Sequence, residues 1–386
     1  MMNPAVLTAE DDCLHFADDT VFHSVRDLFL GFGFNETNVR DQYWFSGQPG
    51  KSLTPHFLEI EPGTASGLDV LVHLFMGEQA VPVDDIIRIL GSRHFLELQE
   101  LKLVEVDEQG SACSATVRIE PVNELLICAD RSPAKPPVRS DAVYRPWDIS
   151  SQLYSRIVPP TPCKTFLEMC CGSAYVCLNA AQNFAESVCG VDINPRAIRF
   201  ADFNKKLNGI ENVATYCGNL FQPLQSRLFD RIVAHPPYVP AVADSLVYKH
   251  GGQDGERISA DLISGIPHHL ADGGEFHGFF AISDRIDAPA ELRVRELLGP
   301  DGQELDVALL TVTELSLVWY LSSMPGLDAK GAEELRESCK KLGITRFVTA
   351  AVTIRSRRGS TPSTFRHRAL GWQTAAAMAD PHTFTR

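Results

Sequence analysis

Two carboxylates lie 24 residues apart, each at the end of an apolar run: Glu168 in "FLEMCCGSA" and Asp192 in "SVCGVDINP". Each run reads as a buried strand that breaks into a turn and then a helix. Gly172 sits in the first turn, where the missing side chain lets a ligand approach the backbone. Asp192 stands where a carboxylate can accept hydrogen bonds from ribose hydroxyls at the end of a second strand. A third strand ends in "CGNLF", with Asn219 able to accept from an adenine amine. A fourth ends in "AHPPYVP", with His235 before two prolines and Tyr238 after them. Proline cannot donate to a sheet ladder and holds its predecessor extended, so this strand stops at a rigid, open rim. Taken singly, Asp192 could be a helix N-cap and Asn219 a turn residue.

Such residues meet only if several strands end on one edge. From Thr165 onward strands alternate with helices, which predicts a mostly parallel sheet covered on both faces. The expected strands are "TFLEMC", "SVCGVDI", "VATYCGN", "FDRIVAH", "GEFHGFFAIS", "ELDVALLTVTE" and "RFVTAAVTIRSR". The expected helices are 173–184, 195–208, 255–270, 286–298 and 331–342. The tail after about Arg358 carries no pattern. Residues 1–130 read as amphipathic helices followed by strand, turn, strand and strand, an α+β order like a winged helix. Residues 131–160, rich in proline and charge, read as a linker. The catalytic region is then 161–386.

Composition narrows the function classes. The chain has 386 residues, 44% of them hydrophobic, and no apolar run long enough to cross a membrane. The amino-terminal residues carry acids where an export signal carries bases, which predicts a cytoplasmic protein. Ten cysteines without a CxxC pair predict buried free thiols rather than disulfides or a metal centre. Residues 1–130 hold seven Lys and Arg against 22 Asp and Glu, enough to account for the whole net charge of −14. That field repels a phosphate backbone and argues against a nucleic-acid partner. His250, His268 and His269 lack companions at metal-ligand spacing, so no metal is expected. His277 falls within a predicted strand, as a core or crevice residue.

In order and wording, "EMCCGSA", "VDINPRAIRFADFNKKLNG", "GNLFQPL", "FDRIVAHPPYVP" and "HGGQDGERISADLISGIPHHLADGG" resemble the class I S-adenosylmethionine-dependent methyltransferases. Within that class they resemble the release-factor glutamine methyltransferase branch. The resemblance covers about Tyr144 to Arg357 and implies a Rossmann-like fold with a seven-stranded, mostly parallel sheet. The acidic front third resembles the winged-helix-like extension of a bacterial subgroup. For the cofactor S-adenosylmethionine, the resemblance implies contacts from Glu168, Cys170, Gly172, Asp192, Ile193, Asn219, Leu220 and His235. His235-Pro236-Pro237-Tyr238 stands where the branch has Asn-Pro-Pro-Tyr. It implies His235 and Tyr238 as catalytic residues, and Pro236, Pro237 and Tyr238 around the substrate. Tyr144, Pro146 and Trp147 fall where the branch has a segment folding over the pocket, which makes Tyr144 and Trp147 further substrate contacts.

Two departures alter the expectation. Cys170 and Ala174 replace glycines of the first loop, so that turn must tolerate two β-carbons. His235 replaces an asparagine whose amide, with a proline carbonyl, holds a planar NH2 acceptor. An imidazole is also a proton acceptor, so His235 is expected to orient or deprotonate an amine, hydroxyl or carboxyl nucleophile. The small margin therefore favours methyl transfer to nitrogen or oxygen of a small metabolite or specialised substrate over a protein or peptide glutamine. A nucleic-acid-binding protein or base methyltransferase, and a silent scaffold, are the readings of other classes. The amino-terminal domain caps the crevice, recognises substrate or builds a homodimer; the sequence leaves these three open.

Overall fold

The computed structural model describes residues 14–42, 65–131, 139–241, 246–322, 329–356 and 361–368. Contacts group them into two units. The first holds the described chain up to Gln152, with 172–182 and 194–215; the second holds 153–171, 183–193 and the described chain from Tyr216 onward.

In chain order the first stretch contains α1 (Asp19–Gly31), α2 (Glu36–Gln42), α3 (Gly67–Phe75), β1 (Val81–Pro82), α4 (Val83–Leu90), α5 (Ser92–Glu100), β2 (Val104–Val106) and β3 (Ala112–Ala115). Local chemistry starts these helices. Asp18 accepts from the backbone N–H of Thr20 ahead of α1, and Ser66 with Asp69 forms a capping box on α3. The three strands form an antiparallel sheet in the order β1-β3-β2. A second ribbon, β4 (Arg118–Val122) with β5 (Leu125–Ala129), is buried along its whole length.

The chain continues through α6 (Ile149–Ile157), β6 (Cys163–Met169), α7 (Tyr175–Asn183), β7 (Ala185–Asp192), α8 (Pro195–Asn208), β8 (Val213–Cys217), β9 (Phe229–Ala234), α9 (Arg257–His269) and β10 (Leu270–Arg285). It closes with α10 (Ala290–Leu297), β11 (Leu305–Ser316), α11 (Leu317–Ser322), α12 (Ala329–Lys341), β12 (Ile344–Ser356) and β13 (Thr364–Arg368).

Within the first unit, α8 is bound to the ribbon by two asparagines one helical turn apart. Asn204 donates to the carbonyl of Cys128 at 2.9 Å and accepts from its N–H at 2.8 Å. Asn208 does the same with Leu126, at 2.8 and 2.9 Å. Two side-chain amides thus complete a strand edge that would otherwise bury unpaired backbone groups.

The large sheet has eight strands in the order β13-β11-β12-β10-β9-β6-β7-β8. Strands β7, β6, β9 and β10 are parallel neighbours, while β12 runs antiparallel to both β10 and β11. The α/β Rossmann-like expectation stands, with one correction: the sheet has eight strands rather than seven. The additional strand, β13, pairs parallel to β11. Its sequence "TFRHR" has no apolar run, because ion pairs hold it instead: Arg366 reaches Asp284 at 2.7 Å and Glu314 at 2.6 Å.

Candidate active site

Register sets the geometry of the site. Met169 of β6 lies beside Val191 of β7 and Ala234 of β9. The next residue of each strand is therefore Cys170, Asp192 and His235, side by side at one carboxyl edge. On the far side of β9, Gly278 of β10 is level with Ala234, which brings Phe279 beside His235. In an open α/β sheet this edge is where ligands bind.

The turn after β6 is left-handed at three positions, with φ of 58° at Cys170, 53° at Gly172 and 60° at Ala174. The two positions that depart from glycine are thus the two at which a β-carbon costs conformational energy, of order 1 kcal/mol each. A Cβ built on Gly172 meets nothing within 4 Å, so open space lies over the middle of the turn. Burial, with Asp192 and Glu168 adding to it, pushes the thiols of Cys170 and Cys171 well above their ordinary range. Neither is a thiolate nucleophile.

Glu168 is buried, and its Oε1 accepts a hydrogen bond from the Tyr154 hydroxyl at 3.2 Å. Asp192 is half-buried and its carbonyl accepts from the N–H of Gly218 at 2.9 Å, which ties the ends of β7 and β8 together. Ile193 is 42% exposed and Asn219 is exposed, while Leu220, at φ 47°, is half-buried. The Ile193 side chain offers an apolar shelf beside a carboxylate, which suits a nucleoside: a flat base against the shelf and ribose hydroxyls toward Asp192.

His235 is half-buried and boxed by three rings. Tyr154 lies 5.2 Å away, tilted at 48°; Tyr238 is 5.7 Å away, stacked at 20°; Phe279 is 5.5 Å away, edge-on at 80°. These contacts fix the plane of the imidazole. Behind the rim, the loop "HGGQDGE" packs backbone to backbone. Gly251 donates to the Val239 carbonyl at 3.0 Å, and Val239 donates to Lys249 at 2.9 Å. A Cβ on Gly251 would sit 2.7 Å from the Pro237 carbonyl oxygen. The prolines contribute acceptors and no donors, so the rim is built to receive hydrogen bonds.

Tyr154 escaped sequence reading because α6 lies in the stretch read as linker; the apolar pair Leu153 and Ile157, four apart, was the signal for a helix there. Trp147, expected as a substrate contact, lies in the first unit. It is fully buried, Arg40 lies 5.0 Å over its ring, and its backbone N–H donates to Glu120 at 2.9 Å. Tyr144 is 38% exposed and donates to Asp148 at 3.1 Å; both residues belong to the first unit, whereas Tyr154, Glu168, Asp192 and His235 belong to the second. His277 is buried in the strand, 3.4 Å from Glu275. Among the described residues no cluster of metal-ligating side chains occurs, and no helix is long and apolar enough to cross a membrane. The nine described cysteines are free thiols.

A methyltransferase-domain family model matches residues 161–276. A chain of Methanocaldococcus jannaschii named as a protein N5-glutamine methyltransferase is 33% identical over 138 residues, 34% of this chain and 68% of that one. This chain belongs to the class I S-adenosylmethionine-dependent methyltransferases, in the release-factor glutamine methyltransferase branch. It is therefore a methyltransferase whose methyl donor is S-adenosylmethionine. Two further relatives of this branch match over shorter shares. The release factor glutamine methyltransferase of Thermodesulfovibrio yellowstonii is 31% identical over 120 residues, 28% of this chain and 43% of that one. The ribosomal protein uL3 glutamine methyltransferase of Bradyrhizobium diazoefficiens is 33% identical over 133 residues, 31% of this chain and 42% of that one. The match spans less than half the length of both. In this methyltransferase the residues at the carboxyl edge fit the donor: a buried carboxylate, an open left-handed turn, and a carboxylate beside an exposed apolar side chain.

Proposed function

We propose that this methyltransferase modifies a protein, transferring a methyl group to a glutamine-type side-chain amide. The observation that carries the reading is the set of relatives named for glutamine methyl transfer to proteins. It favours the protein acceptor over the small metabolite that the His235 substitution had suggested. Glu168, the turn through Gly172, Asp192, Ile193, Asn219 and Leu220 hold the donor, which supplies an electrophilic methyl group on a sulfonium.

The chain's own residues orient the acceptor. A planar NH2 has two donors, and the rim offers an imidazole nitrogen and proline carbonyls to receive them. Tyr238 stacks with the imidazole and walls the acceptor in. Holding a weak nucleophile in line with the donor is the main task in such a displacement, and neutral His235 can also take the departing proton. The helix–strand–helix–helix–strand–strand order from α3 to β3, with its β1-β3-β2 sheet, supports a winged-helix-like reading. The acidic balance of residues 1–130 favours a protein partner over nucleic acid.

The test uses isotopically labelled methyl donor, the purified protein, and the host's own release factors and ribosomal protein uL3, beside its small-metabolite fraction. A glutamine-bearing peptide heavier by one labelled methyl group supports the reading. Label confined to metabolites overturns it.

A further inference from the structure

We infer that Tyr154 is a positioning residue that acts on the methyl donor through Glu168 and at the same time fixes the imidazole on the acceptor side. The inference rests on the reading that Glu168 holds part of the donor. Tyr154 and Glu168 are both almost fully buried, at 4% and 3% exposure. Their hydrogen bond, 3.2 Å from hydroxyl to Oε1, gives the carboxylate a neutral donor. In a place closed to water, one such bond decides which way a carboxylate turns.

The ring of the same tyrosine lies 5.2 Å from that of His235, which Tyr238 and Phe279 contact from other directions. The tyrosine comes from α6, outside the strand ends that supply every other residue of the edge. Its anchor is apolar: Leu153, Tyr154 and Ile157 are the buried residues of that helix. One rigid side chain therefore joins the two halves of the site, and a shift of Glu168 on donor binding is felt at the imidazole.

Y154F separates the hydroxyl from the ring. Calorimetry with S-adenosylmethionine on the full chain is expected to show affinity weakened roughly tenfold in Y154F, the effect of losing one bond to a charged group. E168Q is expected to weaken it at least as much, and Y154F/E168Q no further than E168Q alone. Non-additivity is what action through Glu168 requires. In a spectrum with labelled histidine, adding S-adenosylhomocysteine is expected to move the His235 ring signal in the wild type and markedly less in Y154F. An unchanged affinity in Y154F, or losses that add in the double variant, overturns the inference. Absence of binding by the wild type would instead strike the reading on which it rests.

Discussion

Gly255 approaches the carbonyl oxygen of Tyr238 so closely that a Cβ built on it would lie 2.4 Å away, and its φ is +78°. Sterics and backbone conformation both demand glycine here. Gly251 is held by sterics alone, its Cβ position only 2.3 Å from the Gly255 carbonyl oxygen. The glycine loop is thus a mould for the rim that carries His235. Gly255→Ala must move one of the two backbones, at a cost of about 3 kcal/mol. The expected result is a lower melting temperature and methyl transfer reduced at least tenfold, with donor affinity nearly intact. Wild-type turnover in that variant would mean that the loop does not shape the rim.

A second prediction concerns Asn204. Its amide serves both backbone groups of Cys128 and also donates to the Ser173 carbonyl at 3.0 Å, in the turn after β6. Asn204→Ala strands these buried groups and is expected to cost about 2 to 4 kcal/mol. Asn208→Ala leaves Leu126 unserved in the same way, but lacks the bond to Ser173. Chemical denaturation should find both variants destabilised. Calorimetry with the methyl donor should find the larger loss of affinity in Asn204→Ala, and equal affinities would exclude a role of Asn204 in shaping the turn.

How much of this was legible in the sequence follows from what encodes each part. The parallel strands β6, β7, β9 and β10 are apolar runs ending at Gly, Asp or Pro, and such runs declare themselves. The β6 turn was marked by its departures, since Cys170 and Ala174 stand at the left-handed positions that glycine would fill without strain. Strand β13 was not legible, because its place is set by the ion pairs of Arg366 with Asp284 and Glu314, residues 82 and 52 positions away. Tyr154 was hidden for a similar reason. Nothing near it in sequence points to Glu168 or His235; only tertiary packing brings them together.

His235 itself gives a third prediction. Its ring is held by Tyr154, Tyr238 and Phe279, so removing it leaves an aromatic hollow at the rim. His235→Ala is expected to lose turnover by roughly a hundredfold or more, the usual scale for a positioned acid–base group, with donor affinity little changed. His235→Asn restores the amide of the related enzymes and is expected to recover part of that loss. Turnover in His235→Asn no better than in His235→Ala would show that orienting the acceptor is not what this position supplies.

The last prediction comes from the opposite end of β10, where Glu275 meets Arg231 at 3.0 Å, Arg355 at 3.2 Å and His277 at 3.4 Å. Burial pushes the Glu275 carboxyl up, but His277, Arg231 and Arg355 more than reverse this and hold it at about 2. Burial lowers His277 below the ordinary histidine range, against the pull of Glu275. Both groups bind protons less readily folded than unfolded, so the unfolded chain takes up more protons as pH falls and stability rises with pH. The His277 contribution fades once pH drops below the unfolded histidine value near 6.5. The Glu275 contribution is complete above about 4.5 and disappears as pH falls toward 2. Stability is therefore expected to decline in two stages on acidification. Glu275→Gln should flatten the lower stage and His277→Gln the upper one. Urea melts at pH 2 to 8 would read this directly, and a wild-type curve that stays level from pH 7 down to 2 would show that the cluster does not couple folding to protons.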